Sequence, residues 1–141
     1  MIIKNWQKSI DSVVRWAEDR GINVCFGKDL EDQFCYKERV IHINTNQTKE
    51  NRFYVLLHEC GHYLISKTSS NFVRDMPMYK GFTGGEDGRV ARSKAYHVSL
   101  VAEETEAWRR GRNLARRLGE SIDNERYDNM MANCVYTYIK Y

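Results

Sequence analysis

The chain has 141 residues, of which 22 are lysine or arginine and 19 are acidic, so its net charge at neutral pH is +3. With 42% hydrophobic and 29% charged residues, it has the composition of one globular domain over residues 1–141, which excludes collagen-like and low-complexity proteins. It contains neither an apolar run of about 20 residues, as a membrane span requires, nor the apolar core of a signal peptide. We therefore expect a cytoplasmic protein with no membrane partner, in which the four cysteines are reduced thiols.

The first part of the chain predicts one helix followed by three short strands. Apolar residues at helical spacing predict an amphipathic helix that ends at Gly21. Three β-rich runs follow, and the short polar connection between the second and third predicts a hairpin. The predicted bounds are 5–20 for the helix and 22–26, 34–36 and 39–43 for the strands.

The second part of the chain predicts three helices and one long loop. The helix over residues 50–66, with Thr48 or Asn46 as its cap, is apolar on nearly all sides, which indicates a buried central helix. Residues 67–89 hold the only proline and several glycines, and a loop of this length in a small domain is usually functional. Two more helices are predicted, from 91 or 94 to 118 and from 123 to 138. Together these elements predict an α+β fold in which a short, mostly antiparallel sheet packs against the central helix.

The central helix contains the motif His58-Glu59-Cys60-Gly61-His62, an HExxH. Residues four apart in a helix lie on one side, so both imidazoles face the same space and suit a tetrahedral Zn²⁺. Glu59, turned about 100° away, is the candidate general base for a zinc-activated water. The alternative is a pair of buried histidines without a metal, but both rings would then need other partners. We expect Cys60 to pack in the core and Gly61 to let a neighbouring backbone approach closely.

A catalytic zinc site needs a third protein ligand, and the helix predicted to end at residue 118 offers four candidates. Glu104 falls near the centre of the apolar stripe of this helix, where a buried carboxylate is costly without a cation. Glu104 is therefore the predicted third metal ligand. Glu103, at the edge of the stripe, is the runner-up, His97 is a further candidate, and Glu106 points away. A solvated acidic patch is the alternative without a metal.

The sequence offers weaker evidence for a functional role of several other side chains. Tyr79, Tyr96 and His97 are candidates to donate a hydrogen bond to the oxyanion of a tetrahedral intermediate. His42 is expected to be structural, although its strand could pair with an extended peptide if it lies at the edge of a cleft. The arginines between residues 109 and 117 are typical of a solvated helix face, and a phosphate-binding stripe is the alternative.

Three segments resemble one known family, the ImmA/IrrE-type zinc metallopeptidases. Residues 39–44 and 52–62 are similar to the strand and active-site helix of that family, and residues 104–108 are similar to its second motif, ExEAN. The resemblance implies a small gluzincin-like zincin fold and zinc-dependent hydrolysis of peptide bonds. It also implies that His58, His62 and Glu104 bind the zinc and that Glu59 is the general base.

The chain departs from this family at Trp108, which stands where the family has an asparagine that orients a zinc-bound histidine, and in the length of its loop. Members are often encoded by phages, mobile elements or stress-response loci and cleave repressor-type proteins, so the resemblance implies a repressor-type protein or peptide substrate. Two alternatives stay open. One is an SprT-like DNA-associated zinc protease with His97 as third ligand and the arginines on DNA. The other is a catalytically silent zinc-containing binding or structural module.

Overall fold

The computed structural model describes residues 3–67 and 94–139. Within these residues one helix precedes three short strands and three helices follow them, as the sequence predicts, which confirms the α+β class. The predicted loop over 67–89 falls almost entirely outside the described residues. The elements are α1 (Trp6–Glu18), β1 (Asn23–Gly27), β2 (Gln33–Cys35), β3 (Val40–Asn44), α2 (Lys49–Ser66), α3 (Lys94–Arg117) and α4 (Asn124–Ile139).

Capping residues explain why the helices begin and end close to the predicted positions. Asn5, Thr48 and Asp123 each accept a hydrogen bond through a side-chain oxygen from a backbone N–H in the first turn of α1, α2 and α4. After α1 and α3 the chain enters the left-handed region at Gly21 and Gly119, with φ angles of 78° and 72°. Glycine adopts this conformation without a steric penalty, so both helices stop there.

The three strands form a mixed sheet, which corrects the expectation of a mostly antiparallel one. The strand order is β1-β3-β2, with β1 parallel and β2 antiparallel to β3. The chain reverses once between β1 and β2 and again in the predicted hairpin between β2 and β3. Because two reversals restore the direction, β1 and β3 run the same way, and β3 lies between the other two. The hairpin is confirmed, and Cys35 faces Val40 across it.

The central position of β3 also decides the interpretation of His42. Both sides of β3 are occupied, by β1 and by β2, so this strand cannot accept a peptide as an additional strand. The condition under which the strand of His42 could pair with an extended peptide is therefore not met, which favours the structural interpretation of His42. The edges of the described sheet are β1 and β2.

Helix α2 is the central element of the core, as its apolar sequence predicts. Twelve of its residues are buried, among them Cys60, which packs as expected. The helix contacts α1, the sheet and α3, and Val13 of α1 with Ile41 and Ile43 of β3 are fully buried beside it. All four cysteines are free thiols. Within the described parts of the chain, none of the helices combines the length and hydrophobicity that crossing a bilayer requires.

Helices α2 and α3 cross with their backbones in contact at two glycines. A Cβ atom on Gly61 would overlap the carbonyl oxygen of Ala107, and one on Gly111 would lie 2.5 Å from the carbonyl oxygen of Leu57. No larger side chain fits between the two backbones at these positions, because atoms in protein interiors are close-packed. The close approach expected at Gly61 is confirmed. It brings the turn of α3 before Ala107 against the histidines of α2.

Candidate metal centre

Two histidines one helical turn apart on α2 point into the same space. The Nε2 atoms of His58 and His62 lie 3.2 Å apart, and the two side chains are almost completely buried. Two ring nitrogens this close, with little access to water, need a proton or a cation between them. The geometry expected for the HExxH motif is therefore present.

Glu104 of α3 faces both histidine rings from the opposite helix. Its Oε2 atom lies 2.8 Å from Nε2 of His58, and its Oε1 atom lies 3.2 Å from Nε2 of His62. The carboxylate is buried at 4% exposure. The structure thus brings together the three side chains predicted as ligands, and their role in binding a metal stays a prediction.

The three side chains offer donor atoms at separations that suit a tetrahedral metal ion. Ligand atoms about 2.0–2.1 Å from a tetrahedral zinc lie roughly 3.3 Å from one another. Here the two Nε2 atoms are 3.2 Å apart, and they lie 2.8 and 3.2 Å from the two different oxygens of the Glu104 carboxylate. The donors are two imidazole nitrogens and a carboxylate, a set that divalent zinc accepts. The residues present therefore fit a metal ion.

Glu59 lies at a different edge of the His58 ring. Its Oε2 atom is 3.2 Å from Nδ1 of His58, and its side chain is buried. His58, Glu59 and His62 form a group whose possible ligand atoms all lie within 4.8 Å of one another, so Glu59 could itself complete a metal site. Glu104 is the better-placed third donor, because it faces Nε2 of both rings. This leaves Glu59 available for proton transfer.

Without a metal, the site is a network of shared protons. Burial alone would lower the pKa of His62, but the carboxylates of Glu103 and Glu104 outweigh it and raise the pKa to about 10. Burial alone would also lower the pKa of His58, but the carboxylates of Glu59 and Glu104 outweigh it, so the pKa of His58 is raised. Burial would raise the pKa of Glu104, but the two imidazoles hold it well below its usual range. A metal ion would have to displace the histidine protons.

Glu103, the runner-up ligand, occupies the other side of His62. Its side chain is 0% exposed, and its Oε1 atom lies 3.6 Å from Nδ1 of His62. Glu103 and Glu104 therefore face different nitrogens of the same ring. Glu103 does not face the space between the Nε2 atoms, which favours Glu104 as the third donor.

Trp108 contacts His58 through its ring face. The indole stacks on the imidazole, with ring centroids 4.4 Å apart and planes 10° apart, and Trp108 is 2% exposed. Tyr127 holds Trp108 in place, because its hydroxyl donates to the Trp108 carbonyl and its ring packs edge-on against the indole. His58 is thus oriented by an aromatic wall on one face and by Glu59 at Nδ1.

The cluster opens into a cavity of about 520 Å³. Its walls come from the end of the β1–β2 connection, from β2, from α2 and α3, and from α4. Side chains of α4, including Cys134 and Tyr138, were missed as functional residues by sequence reasoning. Their helical spacing predicts only a helix that closes the domain, and nothing in it marks the residues that face a cavity. The described lining residues include the carboxylates of Asp32, Glu59 and Glu104 but no lysine or arginine.

The other predicted site residues lie elsewhere. Tyr79 and the side chain of Tyr96 fall outside the described residues, so their proposed roles stay predictions. His97 lies two helical turns before Glu104, about 10 Å along the axis of α3. It is not among the described residues that line the cavity.

The arginines of α3 are held mainly by acidic neighbours. Arg109 and Arg110 pair with Glu106 on the same helix, and Arg112 pairs with Asp128 of α4. Arginines already paired within the chain are less available to phosphate groups. This arrangement favours a solvated helix face over a nucleic-acid stripe.

Comparisons with known proteins agree with the geometry of α2. The family model described as Peptidase M78, IrrE N-terminal-like domain, matches residues 17–81. The match includes all three strands and the HExxH helix, and it ends before Glu104. Neither the curated proteins nor the solved structures yield a significant match. Residues 17–81 thus match the family that the sequence resembles, the ImmA/IrrE or M78 peptidases.

Proposed function

We propose that the protein is a zinc-dependent metallopeptidase that hydrolyses peptide bonds in a protein or peptide substrate. The observation that carries the proposal is the convergence of three buried donor groups, the imidazoles of His58 and His62 and the carboxylate of Glu104, at the side of a cavity. The match of residues 17–81 to the M78 peptidase family supports the same reaction class. The resemblance to proteins that cleave repressors makes a repressor-type protein the first substrate to test.

Each residue of the cluster has a distinct task in this mechanism. His58, His62 and Glu104 would hold the zinc. When bound, zinc supplies Lewis-acid chemistry, since it polarises the scissile carbonyl and brings the pKa of a water molecule into the neutral range. Glu59 takes a proton from the attacking water and passes it to the nitrogen of the leaving amine. Burial of Glu59 beside the cavity limits competition from bulk water for that proton.

The substrate binds as an extended segment along β2. In the described sheet this strand pairs on one side only, with β3, and Gln33 and Phe34 line the cavity. An extended peptide can add to such an edge through backbone hydrogen bonds, which fixes the scissile bond relative to α2.

Tyr138 is the proposed donor to the oxyanion. It lines the cavity together with Glu59 and Glu104. Burial, followed by the nearby charge of Glu104, raises the pKa of Tyr138 well above its usual range. The phenol therefore keeps its proton at neutral pH and can donate a hydrogen bond to developing negative charge.

Substitution of the general base tests the proposal. The zinc-loaded protein is incubated with a repressor-type protein panel and a complex peptide mixture, and cleavage is followed by mass spectrometry. We expect Glu59→Gln still to bind one equivalent of zinc and to lose cleavage, because the amide cannot accept the proton of water. Undiminished cleavage by the variant would contradict the proposal. Stoichiometric zinc with no cleavage by the wild type would favour a silent binding module.

The SprT-like alternative is distinguished by metal content. Glu104 faces both histidines, whereas His97 lies two turns away on α3. We therefore expect Glu104→Ala to lose zinc and His97→Ala to retain it. The opposite pattern would support a DNA-associated protease with His97 as ligand.

A further inference from the structure

Glu103 is a buried carboxylate that the proposed ligand set does not use. Its side chain is 0% exposed, and within the described part of the chain neither of its oxygens has a hydrogen-bond partner. The ion pair that it forms is with Nδ1 of His62, at 3.6 Å from Oε1. A carboxylate placed so deeply must be compensated, because burying an uncompensated charge is strongly unfavourable.

The position of Glu103 relative to Glu104 explains what could compensate it. Consecutive residues of a helix point about 100° apart, so these two carboxylates reach different edges of one imidazole. Glu104 faces Nε2 of His62, on the metal side, and Glu103 faces Nδ1, on the far side. An imidazole that binds a cation through Nε2 becomes a stronger donor at Nδ1, and a buried carboxylate is a favourable acceptor for that proton.

Different side chains face the Nδ1 atoms of the two histidines, and Glu103 is the one at His62. His58 is stacked on Trp108 and has Glu59 at its Nδ1 atom. At the corresponding atom of His62 the facing carboxylate comes from the opposite helix: Oε1 of Glu103 lies 3.6 Å from Nδ1, slightly beyond hydrogen-bond length. An acceptor at Nδ1 selects the His62 tautomer whose Nε2 lone pair faces the shared space.

We propose that Glu103 is a positioning residue, whose carboxylate accepts the Nδ1 proton of His62 and so directs the Nε2 lone pair of that ring toward the metal position. The proposal deepens the proposed function and rests on its metal site, but it does not require peptidase activity. Because zinc affinity and cleavage are measured separately, a silent protein that binds zinc leaves this proposal intact.

Zinc affinity of two variants tests the role of Glu103. Glu103→Leu keeps a similar volume and removes the acceptor, whereas Glu103→Gln keeps an uncharged acceptor. Zinc dissociation constants are measured at pH 7.5 by competition with a chromophoric chelator, and the thermal midpoints of the metal-free proteins are measured in parallel. We expect the leucine variant to bind zinc about 10–100-fold more weakly than the wild type, and the glutamine variant to recover part of this loss. Glu125→Gln, at an exposed position on α4, is the matched control and should bind zinc like the wild type.

The outcomes separate a positioning role from the alternatives. A folded leucine variant with wild-type zinc affinity would overturn the proposal, as would a change in thermal midpoint alone. Complete loss of zinc in Glu103→Leu, with zinc retained in Glu104→Ala, would overturn it in favour of Glu103 as a ligand. If the leucine variant does not fold, the zinc affinity of Glu103→Gln tests the proposal instead, and a wild-type value for that variant would contradict it. If the wild type does not bind zinc, both the proposed metal site and the role of Glu103 are contradicted.

Discussion

Burial of charge distinguishes the functional residues of this protein from its ordinary ones. Glu103 and Glu104 are buried on α3, as are Ala107 and Trp108 one turn later, and both carboxylates face His62. A solvated acidic patch, the alternative that the sequence allowed, would leave these carboxylates exposed to water. Because buried charges persist only where they are compensated, the pair marks the site independently of the HExxH motif.

At the same scale, the phenol of Tyr138 is predicted to contribute to the rate and not to metal binding. Replacing Tyr138 with phenylalanine removes one donor to the oxyanion, so we expect kcat to fall about 100-fold while KM and zinc affinity stay close to those of the wild type. Steady-state kinetics on the substrate found by the cleavage screen checks this. Tyr136→Phe, at an exposed position on the same helix, is the control. A fall in zinc affinity that matches the fall in kcat would assign Tyr138 to the metal site instead.

At the scale of secondary-structure elements, the crossing of α2 and α3 creates the site. The HExxH residues lie on one helix and Glu104 on the other, and neither helix holds the complete set of donors. Gly61 and Gly111 permit a separation at which the carboxylate reaches both rings. Any change that moves these backbones apart therefore acts on stability and on metal binding together.

Substitution of Gly61 tests this coupling. An added methyl group would overlap the Ala107 carbonyl, so we expect Gly61→Ala to lower the free energy of unfolding by about 2–3 kcal/mol and to weaken zinc binding. Gly119→Ala is the control, since no atom lies within 4 Å of the added Cβ and left-handed strain costs about 1 kcal/mol. Urea denaturation and chelator competition give both quantities. Wild-type zinc affinity in Gly61→Ala would show that the separation of the helices does not set the site.

The elements also show which parts of the structure the sequence can predict. Helix bounds follow from apolar spacing and from local caps such as Thr48, so they were predicted to within a few residues. The strand order could not be predicted, because an alternating pattern marks one face of a strand but does not identify the neighbouring strands. The positions of Glu103 and Tyr138 in the site depend on how distant helices pack, which no local pattern encodes.

For the whole molecule, the protons of the cluster link folding, metal binding and pH. The folded-state pKa of His62 is raised from 6.5 to about 10. Its stabilising contribution to the metal-free protein is therefore fully present below pH 6.5 and is lost as the pH rises through about 10. The pKa of Glu104 is lowered from 4.5, so its contribution is present above that pH and is lost in acid. Between pH 4.5 and 6.5 both contributions are complete.

Zinc binding should show the opposite dependence on pH. A metal ion must displace the protons of His58 and His62, so its apparent affinity rises about tenfold per pH unit for each proton displaced. The stabilisation by a ligand grows with the ratio of its concentration to its dissociation constant. We therefore expect the difference in thermal midpoint between zinc-loaded and metal-free protein to widen from pH 6 to pH 9 at a fixed, chelator-buffered zinc concentration. Scanning calorimetry at several pH values measures it, with chelator-treated protein as the reference at each pH. A difference that stays constant or narrows would mean that zinc does not compete with these protons, and hence that the two histidines are not its ligands.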